Sequence, residues 1–239
     1  MADNVLNIEK IKNDARDHAL RHIAFIMDGN GRWAKKRGMP REYGHKVGAE
    51  AFRRVLEACN KLDIQCVTVY AFSTENWKRP KREVDSIMKL LEEYLEKSCP
   101  DNLSVRVIGD ISALDERLVS KIEQIQRDTA GREKIVNIAI NYGSRAEIVH
   151  AVNELIKDGK SDITDEDITS KLYTADCPEL DLIVRTGGDL RISNFLLWQA
   201  AYAEFYFTDK LWPDMTEDDV AAAIESFNSR KRRYGGLDK

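Results

Sequence analysis

Residues 22–33 read H-I-A-F-I-M-D-G-N-G-R-W, from His22 to Trp33. The apolar run Ile23 to Met27, bounded by turn residues, predicts a short buried strand. Asp28-Gly29-Asn30-Gly31 cannot continue it, because glycine and asparagine favour turns and positive φ. The pattern therefore sets the Asp28 carboxylate at the carboxyl end of a strand. Backbone able to approach a ligand follows, and then the Arg32 guanidinium. In open α/β sheets ligands bind at that edge. Exposed amides, a guanidinium and a carboxylate together suit a diphosphate with a divalent cation. The same residues also read as a surface turn whose aspartate caps a helix, and a short glycine motif alone does not choose between the two.

The rest of the chain repeats the theme. Further strands are predicted at Ile64–Phe72, Val105–Ile108, Ile135–Ile140, Leu180–Val184 and Glu204–Thr208. Helical spacing predicts helices over Gly44–Leu62, Glu83–Lys97, Leu114–Thr129, Arg145–Lys157, Thr164–Tyr173, Asn194–Ala201 and Glu217–Lys231. Apolar strands alternating with helices imply an α/β fold with a mainly parallel, six-stranded sheet covered on both faces. No Pro/Gly/Ser-rich linker divides it, so residues 21–239 form one domain behind an N-terminal arm, 1–20. Several strands end in polar residues: Asp28, then Ser73-Thr74-Glu75-Asn76-Trp77, then Arg185. In a parallel sheet those ends share one edge and converge on one crevice, which a capping role for Asp28 alone does not explain.

Composition narrows the ligand. The 239 residues carry a net charge of −4, so no global field draws nucleic acid. Positive charge is local: Arg32, Lys35, Lys36, Arg37 and Arg41, then Lys78, Arg79, Lys81 and Arg82, then Lys231, Arg232 and Arg233. Such clusters in an acidic protein fit small anions better than a polyanion track. The four cysteines show no C-x-x-C spacing and read as reduced residues of a cytosolic protein. The charged N-terminus does not read as a signal peptide, and no apolar run approaches the ~20 residues of a membrane span. A P-loop, a G-x-G-x-x-G after a strand and a G-x-S-x-G elbow are all missing.

Asp28 can hold Mg²⁺, which is often bound by one or two carboxylates plus substrate phosphates. Glu204 is a candidate second ligand, although spacing alone favours an ordinary strand-edge charge. Arg32, Arg41, Arg79, Arg185 and Arg191, with Ser193, supply donors for more than one phosphate group. Trp33, Phe72, Trp77 and the stripe Val84, Ile87, Met88, Leu91 and Leu95 offer apolar surface nearby, so the ligand is amphiphilic. Trp198 and Trp212 read as packing residues.

These stretches carry a resemblance. His22–Ala34, Gly44-His45, Tyr70–Trp77, Arg185–Trp198, Ala203-Glu204, Leu211-Trp212-Pro213 and Arg233-Tyr234-Gly235-Gly236 resemble the motifs of the cis-prenyltransferases, in their bacterial undecaprenyl diphosphate synthase branch. The likeness covers about residues 20–236. It implies a cytoplasmic homodimer with an apolar tunnel, contacting membrane at most peripherally through its lipid product. It also implies Mg²⁺-dependent condensation of isopentenyl diphosphate onto an allylic diphosphate, farnesyl diphosphate by preference, with each new double bond cis. By the resemblance Asp28 is the metal ligand and principal catalytic residue. Gly29, Asn30, Gly31, Arg32, Arg41 and His45 would hold the allylic head, and Trp33 would pack on its tail. Ser73, Thr74, Glu75, Trp77 and Arg79 become further substrate contacts, and Asn76 the residue assigned to proton removal. Arg185, Arg191, Ile192 and Ser193 form the isopentenyl site. Glu204 is a metal ligand in cis or in trans, and Arg233-Tyr234-Gly235 reaches the active site across the dimer. Non-catalytic subunits of the family lack the aspartate and arginines of the first motif, which this chain keeps.

A neutral amide is a poor base near pH 7, so Asn76 is expected to position a water or a substrate phosphate rather than take the proton itself. Glu83 to Val105 is about one helical turn shorter than in the usual undecaprenyl enzyme, and Cys99-Pro100 ends the helix early. That segment lines the family's tunnel. A C55 product is the favoured expectation, with a shorter cis-polyprenyl diphosphate as the alternative.

Overall fold

The structure, a computed structural model, describes residues 20–96 and 102–230. Expectations for the N-terminal arm before Leu20, for Lys97, for Cys99-Pro100 and for Lys231 to Gly236 lie outside these residues.

One sheet organises the chain. Its strands are β1 (His22–Ile26), β2 (Cys66–Ser73), β3 (Leu103–Ile108), β4 (Lys134–Tyr142), β5 (Leu182–Arg185) and β6 (Glu204–Phe207). They lie in the order β3-β4-β2-β1-β5-β6, and every neighbouring pair is parallel. All five residues of β1 are buried, as an apolar central strand requires. Its side chains divide by alternation: Ile23 and Phe25 face the larger core, Ala24 and Ile26 the smaller one across the sheet.

The helices are α1 (Asn30–Lys36), α2 (Arg41–Lys61), α3 (Lys81–Glu96), α4 (Glu116–Thr129), α5 (Ser144–Lys157), α6 (Asp165–Lys171) and α7 (Glu217–Asn228). Helix α1 goes beyond the expected turn. Gly29 turns the chain at φ 110, and a helix begins at once with Asn30. A side chain at Gly29 would also meet Leu211, its Cβ lying 2.9 Å from Leu211 Cδ2. Helix α2 starts at Arg41, earlier than the apolar spacing implied, because Pro40 supplies a fixed φ just before the first turn. On its inner face Gly44 and Gly48 admit α1 closely: a Cβ there would lie 2.1 Å from the Asn30 carbonyl oxygen and 2.1 Å from Asn30 Oδ1 respectively.

The helix expected over Asn194–Ala201 is not formed. Ser193, Asn194 and Leu196 sit at φ 50, 62 and 47, in the left-handed region, and only a 3-10 turn at Gln199–Tyr202 follows. The start of α5 imposes this path. Ser144 N–H donates to the Asn194 carbonyl (2.8 Å), Arg145 N–H to Asn194 Oδ1 (3.0 Å), and Leu197 N–H to Ser144 Oγ (2.8 Å). Those bonds replace the ones a helix would make within itself.

The topology fixes where a ligand can enter. From β1 the chain moves to β2 on one side, and from β5 to β6 on the other. The carboxyl ends of β1 and β5 therefore flank a switch point, where the outgoing loops part and leave a crevice.

Candidate functional site

Asp28 stands at that crevice. Its backbone carbonyl accepts from Thr186 Oγ1 (2.7 Å) and Trp212 N–H (3.0 Å), which anchors the turn to the loops after β5 and β6. Its carboxylate accepts from Arg32 Nη2 at one oxygen and Arg185 Nη2 at the other, both at 3.0 Å. Burial pushes the carboxyl pKa up, but the hydrogen bonds from Arg185 and Arg32 outweigh it and hold Asp28 below the usual aspartate range. Arg32 also donates to the Gly187 carbonyl (2.5 Å). Arg185 is buried. It donates to the Arg191 carbonyl, to Ser193 Oγ (2.8 Å) and to Asp189 (3.4 Å), and its Nε has no partner. Arg191 is exposed and pairs with Asp189 at 2.8 Å.

A second carboxylate lies across the crevice. Glu83, in the first turn of α3, is 5 % exposed. It accepts from Arg79 Nη1 (2.9 Å), His45 Nε2 (3.1 Å) and Arg41 Nε (3.3 Å). Burial raises its pKa, and the bonds from His45 and the two arginines bring it below the usual glutamate range. His45 is shifted down, chiefly by burial, against the pull of Glu83, so its ring is neutral near pH 7 and donates Nε2–H.

At the end of β2 a 3-10 turn (Thr74–Lys78) is closed by a reciprocal cap between Ser73 and Asn76. Asn76 Oδ1 accepts the Ser73 N–H at 3.1 Å, so the group it keeps for a ligand is the Nδ2 donor. Asn194 Nδ2 donates to Glu75 at 3.4 Å and ties this turn to the loop after β5.

Together these residues line a cavity of about 870 Å³ that includes Asp28, Arg32, Asn76, Arg79, Arg185 and Arg191. Asn30, His45, Ser73, Glu75 and Ser193 also reach it. An apolar pocket of about 100 Å³ adjoins it between α2 and α3, lined by Phe52, Leu90, Leu91 and Tyr94. Met27, Asn30, His45, Ala71 and Ile87 line both spaces, so the polar cavity opens directly onto grease.

Several expected contacts lie elsewhere. Trp33 is buried away from the cavity, donating to Asp214 (2.6 Å) beneath the Arg37 guanidinium. Trp77 rests edge-on against Phe72 and donates to Asn141 Oδ1 (2.7 Å), outside the cavity lining. Ile192 packs into the smaller core, and Thr74 does not line the cavity. Gly29 and Gly31 do not line the cavity, and a Cβ on Gly31 would lie 2.9 Å from the Arg41 guanidinium. Arg41 itself bonds Glu83 beside the cavity. Trp212 is a core residue, as expected, and also borders the apolar pocket. Glu204 requires a correction. It opens β6 opposite Leu182, whereas Asp28 follows the other end of β1, where Ile26 pairs with Arg185. Glu204 binds Arg230 at 2.7 Å and stands at the opposite end of the sheet from Asp28 in this chain.

The sequence reading missed Arg145, which lines the cavity, and Glu83, which holds the lining residues His45 and Arg79. Glu83 follows Arg79 by four positions, an ion-pair spacing on a helix. Arg145 follows the polar end of β4, which belongs to the same edge as the other strand ends.

Among the described residues no three His, Cys, Asp or Glu side chains gather into a metal cage. Three separate carboxylates, Asp28, Glu75 and Asp189, line the cavity, and Asp28 is the one set between Arg32 and Arg185 at the end of β1. That donor set fits Mg²⁺ only when substrate phosphate oxygens and water complete the shell. Among the described residues no helix is long and apolar enough to cross a membrane.

Comparison with known proteins points the same way. Residues 26–235 match a family model for undecaprenyl diphosphate synthase, Prenyltransf. The chain is 51 % identical over 222 residues to an isoprenyl transferase of Fusobacterium nucleatum, covering 91 % of this chain and 96 % of that protein. Among solved structures it is similar to lavandulyl diphosphate synthase from Lavandula x intermedia in complex with dimethylallyl diphosphate. That likeness has a TM-score of 0.86 and 32 % identity, over 92 % of this chain and all of that one. It is also similar to a probable undecaprenyl diphosphate synthase of Campylobacter jejuni, with a TM-score of 0.76 and 36 % identity over 91 % and 99 % of the two chains.

Proposed function

Since the chain belongs to the undecaprenyl diphosphate synthase family of prenyltransferases, we propose that it condenses isopentenyl diphosphate with an allylic diphosphate, farnesyl diphosphate by preference. Each added unit carries a cis double bond. The product is a long polyprenyl diphosphate, C55 in preference to a shorter chain. The observation that carries this reading is one rim where two arginine-gripped carboxylates, Asp28 and Glu83, flank a cavity opening onto an apolar pocket.

In this reading the allylic diphosphate sits by Asp28, Arg32 and the Glu83-held group of Arg41, His45 and Arg79. Mg²⁺, held by Asp28 and the diphosphate, would neutralise charge on the leaving group. Arg32 adds fixed positive charge at the same place, which favours breaking the allylic C–O bond. The isopentenyl head takes Arg191 and Ser193, with the buried Arg185 fixing the loop that presents them. As the new C–C bond forms, a proton leaves the isopentenyl unit. Asn76, whose free group is a donor, orients the phosphate oxygen or water that accepts it. The hydrocarbon grows toward Phe52, Leu91 and Tyr94, which line the apolar pocket between α2 and α3. Cytoplasmic location and a homodimer, with Glu204 serving the partner's site, belong to the same proposal and draw support from the resemblance.

The test is incubation with labelled isopentenyl diphosphate, farnesyl diphosphate and Mg²⁺, followed by sizing of the extracted lipids. Label in a C55 product is the expected result. A shorter ladder would revise chain length alone, and no label in any lipid would overturn the reading.

A further inference from the structure

Most of the positive charge around the cavity is already spoken for. Arg32 and Arg185 are held by Asp28, Arg79 by Glu83 and Arg191 by Asp189. Arg145 differs. It lines the same cavity and is exposed, and among the described residues its guanidinium has no carboxylate partner. An unpaired guanidinium among paired ones is the cation left over for an incoming anion.

Its placement is built. Arg145 is the second residue of α5, and its N–H donates to Asn194 Oδ1 at 3.0 Å. The neighbouring Ser144 N–H donates to the Asn194 carbonyl at 2.8 Å. Asn194 follows Ser193 directly, and the Ser193 carbonyl accepts from Tyr70 Oη at 3.3 Å. The loop carrying Arg191 and Ser193 is thus bolted across the ends of β2 and β4 onto the turn that presents Arg145. Gly143 permits this approach, since a Cβ there would lie 2.7 Å from Asn194 Nδ2.

We propose that Arg145 is a direct ligand of the diphosphate bound by Arg191 and Ser193, so that it sets affinity for isopentenyl diphosphate and not for the allylic partner. This rests on the function proposed above. The experiment compares wild type, Arg145→Ala and Arg145→Lys in steady state, varying each substrate with the other saturating. Thermal melts serve as the folding control. The expected result for Arg145→Ala is a KM for isopentenyl diphosphate raised roughly tenfold to a hundredfold, the loss of one charge-assisted hydrogen bond. The allylic KM and the melting midpoint should not move, and Arg145→Lys should recover part of the loss. Unchanged KM values, or equal rises for both substrates, would overturn the assignment. A calorimetric titration with inorganic pyrophosphate keeps the two proposals separable. If wild type transfers no prenyl group, the proposed reaction fails, while weaker pyrophosphate binding by Arg145→Ala still upholds Arg145 as an anion ligand and equal binding removes it.

Discussion

Asp28 and Glu83 are both acids gripped by arginines on the rim of one cavity, yet they are built for different work. The Asp28 side chain is 29 % exposed and keeps lone pairs facing the cavity. The Glu83 side chain is 7 % exposed, and three cationic or neutral donors surround it. The open carboxylate can exchange an arginine for a substrate or metal contact during a catalytic cycle. The sealed one can only hold Arg41, His45 and Arg79 where they stand. Similar pKa directions therefore do not mean similar surroundings: both are lowered, but of the two only Asp28 lines the cavity.

The largest effect should come from breaking the open member. Asp28→Ala is expected to cut turnover by about a thousandfold or more, the scale of losing a main electrostatic contributor to a transition state. Asn76→Ala should cost turnover less, about tenfold to a hundredfold, because it orients an acceptor rather than stabilising the leaving group. Steady-state kinetics with both diphosphates would check this. Loss of binding with unchanged turnover in both variants would contradict the roles.

Glu83→Gln comes next and should have the opposite signature. Removing a buried charge that serves three donors should destabilise the fold by about 2–3 kcal/mol, roughly a 5–10 °C drop in Tm. The KM for the allylic diphosphate should rise more than kcat falls, since the loss is of positioned arginines. If Glu83→Gln instead matches Asp28→Ala in turnover at unchanged stability, the division between open and sealed carboxylates is wrong.

The two acids also differ in how legible they were. Asp28 was visible because it interrupts an apolar strand at a glycine turn, and one strand of a parallel sheet fixes which edge that end joins. Glu83 begins an amphipathic helix, where an acid in the first turn has an ordinary dipole explanation. Its partners Arg41 and His45 come from another helix, a contact that no local spacing encodes. The Asn194–Ala201 segment failed for a related reason. Its apolar residues have helical spacing, but the Asn194 carbonyl and the Leu197 N–H bond Ser144 at the start of α5, about fifty residues away in sequence. Trp33 was misplaced because helix α1 was not expected, and a helix turns that ring away from the strand end toward Asp214. The parallel six-stranded sheet and the shared edge were readable from pattern, whereas the order of the strands and partners supplied by another element were not.

The smallest effect is an acid one, and it separates the two carboxylates most cleanly. His45 has its folded pKa depressed below the ordinary histidine value, so near pH 6 the unfolded chain binds more protons there than the folded one. Stability is then complete above the unfolded pKa of about 6.5 and is lost as pH falls below it. His22 acts with the same sign: burial in the core lowers it to about 4, with Nδ1 bonded to the Pro178 carbonyl. From that depression His22 should cost about 1 kcal/mol between pH 6.5 and 5.5 in every variant. The carboxylates stay ionised in both states across that interval, because their folded values lie below the usual range. Glu83, however, is the group that pulls His45 upward. Glu83→Gln should deepen the His45 depression and steepen the loss over this interval by a few tenths of a kcal/mol. Asp28→Asn, whose hydrogen-bond partners are arginines, should leave the wild-type slope intact. Urea unfolding of the three proteins at pH 6.5 and 5.5 reads the difference directly. Coincident slopes for the two variants would mean that Glu83 does not hold His45, and that the sealed carboxylate is not the positioning hub its geometry describes.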